Sequence, residues 1–215
     1  MLLQPDLGSS LILAAIWLAV VFFSGIRWRH LIIFFLLAAI LAVAAWSSLL
    51  APYQKERITA FFNPYRDPQG AGYNIIQAMV AAGSGQLFGK GIGYGTQSHL
   101  NFLPEPETDF IFAAFAEETG FIGAIILLGL FGFLGWRIIA VGTQAQDNFS
   151  KLYVLGFAAF MFSQAFLHIA VNLGLLPVTG IGLPLISYGG SGLITILIGL
   201  GILESIRIHA RTEIE

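Results

Sequence analysis

The chain has 215 residues, of which 57% are apolar and only 10% charged, against about 25% charged in a soluble domain; its mean hydropathy is +0.82. That composition excludes a disordered chain, a nucleic-acid binder and an ordinary cytosolic globule. The formal net charge of -2 is too small to imply an acidic or basic partner, and with no cysteine there is no disulfide framework, Cys-ligated zinc site or thiol nucleophile.

What remains is an all-α polytopic membrane protein. Leu31 to Gln54, Thr119 to Trp136 and, His168 aside, Leu152 to Leu203 carry no ionisable charge. A helix needs roughly 20 apolar residues to cross the hydrocarbon core. Five spans are predicted, over 9–26, 31–50, 110–135, 152–174 and 185–205. Pro177, Gly180, Gly182 and Pro184 divide the last long stretch in two. Continuous apolar runs favour helices over the short alternating segments of a barrel.

Arg27, Arg29, Arg137, Lys151, Arg207 and Arg211 flank the short loops and the C-terminal tail. Positive residues near span ends stay in the cytoplasm, so these regions are expected inside and the segment 51–109 outside. Five spans then put the N-terminus outside, yet Met1 to Gly8 has no basic region or cleavage site. The expectation is a single membrane domain over 1–215, the C-terminal part of a larger membrane protein, with one large extracytoplasmic loop over 51–109.

Seven of the twelve acidic residues lie between Glu56 and Glu118. Asn63-Pro64 and Asp67-Pro68 read as turns. Tyr73 to Ala82, with Ile75, Ile76, Met79 and Val80, reads as a helix lying at the membrane interface. A run of glycines from Gly83 to Gly95 follows, then Leu103-Pro104-Glu105-Pro106-Glu107, held extended by its prolines before a helix at Phe110.

Gly89-Lys90-Gly91 fails as a P-loop, because position 84 is Ser and position 91 is Gly. A glycine-rich connector with a solvated lysine and a backbone cradle for a diphosphate both stay open. Thr108-Asp109 reads first as a helix cap. Glu117 and Glu118, about two turns on, either border one crevice with Asp109 or snorkel to the surface; intramembrane acids commonly mark a site. Gln164, His168 and Asn172 recur at i, i+4 and i+8, and the preferred reading is helix–helix hydrogen bonding. One histidine without acidic ligands on its helix does not make a metal site. Ser187-Tyr188-Gly189-Gly190-Ser191 suits close approach of helices or the frame of a groove. On this topology Asp6 is another outer-face carboxylate, and the polar features of 4–10, 51–118, 164–172 and 187–191 converge on the outer side. That convergence suggests a crevice for a substrate with a lipid tail and a polar head.

Gln4-Pro5-Asp6-Leu7-Gly8, Gly70-Ala71-Gly72-Tyr73, Gly89-Lys90-Gly91, Gly95-Thr96-Gln97-Ser98, Phe102-Leu103-Pro104-Glu105, Thr108-Asp109-Phe110-Ile111-Phe112, Glu117-Glu118 and Pro184 through Ser191 resemble, in order, the SEDS family of shape, elongation, division and sporulation proteins. The run from Gly95 to Glu105 looks more like the RodA branch than the FtsW branch. The resemblance implies a peptidoglycan glycosyltransferase that polymerises lipid II at the outer face of the bacterial inner membrane. It also implies a class B penicillin-binding protein as partner, with other elongation-complex membrane proteins. The family's essential carboxylate matches Asp109, and Glu105 and Thr108 match the same motif. Glu107 stands where the family often has histidine.

The expected chemistry joins a sugar hydroxyl to an anomeric carbon, with a lipid diphosphate leaving. Asp109 is the candidate general base; a helix N-terminus weakens it as a base, and Glu105 and Glu107 oppose that effect. Asp6, Arg57, Lys90, Gln97, Ser98, Glu105, Thr108, Ser187 and Tyr188 are the candidate substrate-binding residues. Lys90, Arg57, the glycine-rich turn or a divalent cation held by the acidic cluster would stabilise the diphosphate. A lipid II flippase and a non-catalytic scaffold of the wall machinery are the alternatives. A transporter keeps ionisable residues near mid-membrane, where only His168 qualifies, and a scaffold has no need of clustered carboxylates.

Overall fold

The computed structural model describes residues 7–48, 52–70, 72–100 and 102–212. Among them there are eight α-helices, one 3-10 turn and no strand: α1 (Leu7–Phe23), α2 (Trp28–Ser48), α3 (Pro52–Phe62), the 3-10 turn Pro64–Arg66, α4 (Tyr73–Ser84), α5 (Thr96–His99), α6 (Ile111–Gln144), α7 (Asn148–Asn172) and α8 (Gly190–Thr212). Three helices are long and apolar enough to cross a membrane, over Ile111–Gln144, Asn148–Asn172 and Gly190–Ala210. Helices α1 and α2 fall where the first two spans were expected.

Two boundaries differ from expectation. Helix α6 runs to Gln144 rather than 135, so the loop expected over 136–151 shrinks to a short connection. Asp147 caps α7 there, accepting from the Ser150 amide at 2.8 Å. The last helix starts at Gly190, not 185, because Leu185 takes a left-handed conformation (φ 65°) and Ser187 and Tyr188 are held in a strap.

Small residues bring the long helices together. Gly199 lies against the Phe157 ring and Gly135 against Phe162. Ile138, Val154, Phe157, Ala158, Met161, Ile196 and Leu203 form the core between α6, α7 and α8. Helix α1 runs antiparallel to α7: Gly8 meets Thr179 and Ile181 beyond the end of α7, while Val20 approaches Gly156 near its start. Phe23 and Ser24 line a cleft with Gly142, Thr143 and Lys151, which puts the α1–α2 turn at the end that carries the α6–α7 connection. The bundle therefore has a basic end, with Lys151 at the start of α7 and Arg207 near the end of α8, and an acidic end with Glu105, Glu107, Asp109 and Glu117.

Helix α4, expected at the membrane interface, buries one face against the bundle. Ile75, Ala78 and Ala81 recur every three residues and are almost fully buried. Ala78 and Ala81 pack with Leu103, Phe110, Ala113, Ala114 and Val171, so α4 docks on the start of α6 and the end of α7. Alanines here permit the close approach, and docking gives the long loop a core of its own.

Candidate functional site at the acidic end

Two carboxylates organise this end, eight residues apart in sequence. The first is Glu117. Its side chain is completely buried. Oε1 accepts from Lys90 Nζ at 2.6 Å, Thr96 Oγ1 at 3.1 Å and the Gln97 amide at 3.0 Å. Oε2 accepts from the amide of Ser98 at 3.2 Å and from its hydroxyl at 3.4 Å. Lys90 also donates to Thr96 Oγ1 at 2.7 Å. A buried carboxylate survives only when its lone pairs are filled this way. Lys90, Gln97 and Ser98, expected to bind substrate, are thus gathered around Glu117, and the lysine, 29% exposed, is ion-paired rather than simply solvated.

The backbone beneath this knot explains the glycines. Helix α6 is broken at Gly120 (φ 69°, ψ −168°), a conformation open essentially to glycine alone. The break releases carbonyls and amides, and the glycine-rich loop fills them. Lys90 and Gly91 amides donate to the Glu117 and Glu118 carbonyls, each at 3.0 Å. The Phe121 amide donates to Gln86 O at 2.8 Å, and that of Ile122 to Leu87 O at 3.2 Å. A Cβ on Gly89 or Gly120 would collide with this facing backbone.

The second carboxylate is Asp109, which stays half-exposed. Its backbone is fixed from α7. The buried Asn172 donates from Nδ2 to Asp109 O at 3.0 Å and to His168 O at 2.8 Å, and its Oδ1 accepts from the Ala113 amide at 2.9 Å. Thr108-Asp109 does not cap α6: Phe110 is the N-cap residue, without a side-chain cap bond, and Asn172 serves the first turn from another helix. On the other side, Ser187 Oγ donates to Thr108 O at 2.8 Å and accepts from the Leu183 amide at 2.6 Å. The Tyr188 amide donates to Glu107 O at 2.9 Å, leaving the ring exposed. Glu105 turns the chain with φ 44°, its carbonyl accepting from the Thr108 and Phe110 amides and its carboxylate from Thr108 Oγ1 at 3.4 Å.

The polar stripe of α7 serves this end only partly as expected. Gln164 donates to Gly182 O at 2.9 Å and the His168 ring nitrogen Nδ1 meets Ile181 O at 2.7 Å. These two residues bind the 173–189 connection, whereas Asn172 bonds helix to helix, to the Ala113 amide of α6, and also holds the corner before α6. The structure thus brings together Asp109, Thr108, Glu105, Ser187 and Tyr188 in one corner, and Lys90, Gln97 and Ser98 in a neighbouring one. Arg57 lies on α3, and Asp6 falls outside the described residues. Asn172 and Glu117 were visible as polar residues in apolar helices, which was the signal, but their partners were not.

Residues 1–212 match the model of the FtsW/RodA/SpoVE family, described as cell cycle proteins. The chain belongs to this family. Among curated FtsW/RodA/SpoVE relatives it is 45% identical to the peptidoglycan glycosyltransferase MrdB of Escherichia coli (strain K12) over 97% of this chain and 56% of that protein. It is 40% identical to stage V sporulation protein E of Bacillus subtilis (strain 168), covering 97% of this chain and 56% of the relative. The chain spans about half the length of the curated relatives it matches. A chain of a solved peptidoglycan synthase complex that coordinates polymerization and crosslinking superposes with TM-score 0.77 at 38% identity, covering 97% of this chain and 57% of that one. The Thermus thermophilus rod shape determining protein RodA, solved as an aspartate-to-alanine mutant, gives TM-score 0.60 at 32% identity over 97% and 51% of the two chains. This FtsW/RodA/SpoVE member is a multi-pass membrane protein. Among its described residues no three His, Asp or Glu side chains converge to hold a metal ion, so the divalent cation considered from sequence finds no ligand set there.

Proposed function

We propose that this chain carries the catalytic corner of a peptidoglycan glycosyltransferase that polymerises lipid II at the outer face of the bacterial inner membrane, with Asp109 as general base. The observation that carries the reading is the treatment of Asp109. Asp109 is half-buried at the acidic end, while its backbone is immobilised by the buried Asn172 and its neighbour Thr108 by Ser187. A base must be positioned and reachable, and this arrangement supplies both. In the proposed step the carboxylate takes the proton of the attacking sugar hydroxyl. The new glycosidic bond forms at the anomeric carbon, and the lipid diphosphate leaves with its bonding pair. Lys90 and Arg57 are the candidates for meeting the diphosphate; the amides of Gly89, Lys90 and Gly91, considered from sequence, are taken by backbone carbonyls. Lys90 would share its charge between Glu117 and the phosphate. Glu105, Thr108, Ser187, Tyr188 and Asp6 are assigned to substrate.

The relatives' names support the activity, and the superposition on a polymerizing and crosslinking complex supports a crosslinking partner, here proposed to be a class B penicillin-binding protein together with other elongation-complex membrane proteins. Identity to MrdB supports the RodA branch and a role in elongation and shape. The test is Asp109→Ala in the full-length protein, reconstituted with its partner and lipid II. Glycan strands from the wild type and none from the variant are expected. Strand synthesis by the variant at the wild-type rate would remove Asp109 from the mechanism, and lipid translocation without polymerisation would replace the enzyme with a flippase.

A further inference from the structure

The loop that fills the break in α6 carries a row of large apolar side chains that the site does not use. Leu87 is 59% exposed, Phe88 80%, Ile92 83% and Tyr94 76%. We propose that this loop is seated in the bilayer surface on the side of the acidic end, with Leu87, Phe88, Ile92 and Tyr94 among the lipid chains and headgroups.

Three observations converge on lipid as the occupant. The loop is tied by the Gln86 and Leu87 carbonyls to the first amides after the break, those of Phe121 and Ile122. From there α6 continues for about 24 residues, roughly 36 Å, enough to cross the hydrocarbon core with some tilt. The loop therefore sits where the span enters the membrane. Second, Phe121, Ile122, Ile125 and Ile126 on α6 are all exposed apolar residues. The loop's side chains extend that lipid-facing surface sideways. Third, the loop is suited to a poorly hydrated setting. Its only charged residue between Gly85 and Gly95 is Lys90, whose ammonium is paired with Glu117. The amides of Gly89, Lys90, Gly91 and Tyr94 all have backbone partners. Lipid offers no substitute for a missing partner, and tyrosines such as Tyr94 favour the interface. Seating the loop would set the height of Glu117, and hence of the corner two turns earlier, above the bilayer.

The proposal stands apart from the catalytic reading, and its test does not use activity. Phe88→Cys and, separately, Ile92→Cys are introduced on a cysteine-free background in the full-length protein and labelled with an environment-sensitive fluorophore. The proteins are placed in phosphatidylcholine vesicles, with Gln69→Cys in the polar turn as the aqueous reference. A blue-shifted emission at 88 and 92, loss of fluorescence with lipids spin-labelled near the headgroup, and protection from aqueous iodide are expected. Quenching by iodide as at position 69 would overturn the proposal. So would shielding from both quenchers, which would mean protein packing, and so would burial that develops only when a partner protein is added.

Discussion

Glu117 and Asp109 are both carboxylates of the acidic end, and the fold uses them in opposite ways. Glu117 is sealed, and its oxygens are filled by one ammonium, hydroxyls and two backbone amides. At Asp109 the fold grips the main chain, through Asn172, and leaves the residue half-buried rather than sealed. A buried, saturated carboxylate holds structure together. A carboxylate on a fixed backbone with access to solvent suits chemistry. Sequence proximity and shared charge therefore do not assign role; burial and access to solvent do.

That contrast can be broken from the Glu117 side first. Glu117→Ala strands Lys90 and the Gln97 and Ser98 amides, and is expected to cost about 3 kcal/mol, the low end for breaking a buried pair because Lys90 keeps some access to water. A thermal melt of the purified protein checks this, and a melt unchanged from wild type would show the knot to be dispensable. Asn172→Ala comes next. It leaves the Asp109 carbonyl and the Ala113 amide without their partner, for about 1–3 kcal/mol. If Asn172 positions Asp109, strand synthesis slows chiefly in kcat, with KM little changed. A loss of stability with kcat intact would make Asn172 structural only.

The smallest effect lies at the basic end. The Ser150 amide and hydroxyl hold the Asp147 carboxyl below its ordinary value. A carboxylate lowered in the folded state contributes stability that is fully present above its unfolded value of about 3.9 and is lost as the pH falls through its lowered folded value. Protection from hydrogen exchange at the first turn of α7, relative to the intrinsic rate, should therefore fall below about pH 4 in the wild type. In Asp147→Asn that dependence should flatten. An identical pH response in both proteins would assign the acid sensitivity elsewhere.

Much of the fold was legible because a membrane makes local sequence decisive. Charge-free runs placed the long helices, and the positions of Arg137, Lys151 and Arg207 against Asp109 and Glu117 already separated the two ends. What escaped were features set by distant partners. The break at Gly120 looks like ordinary glycine in a helix until residues 86–91 supply its missing hydrogen bonds. Lys90 reads as a solvated cation until Glu117 is folded beside it. Helix α4 has an apolar stripe that suits a bilayer surface equally well, and only the alanines of α6 show where it docks. Asp109 itself was found through a motif, and its support from Asn172, 63 residues away, is a tertiary fact.

The most direct measurement compares Asp109→Asn with Glu117→Gln in one reconstituted preparation, scoring both thermal midpoint and glycan strand synthesis. Asp109→Asn is expected to melt like the wild type and make no strands, whereas Glu117→Gln melts earlier. Strands made by Asp109→Asn at the wild-type rate, or a loss of stability in it matching that of Glu117→Gln, would contradict the division of labour between the two carboxylates.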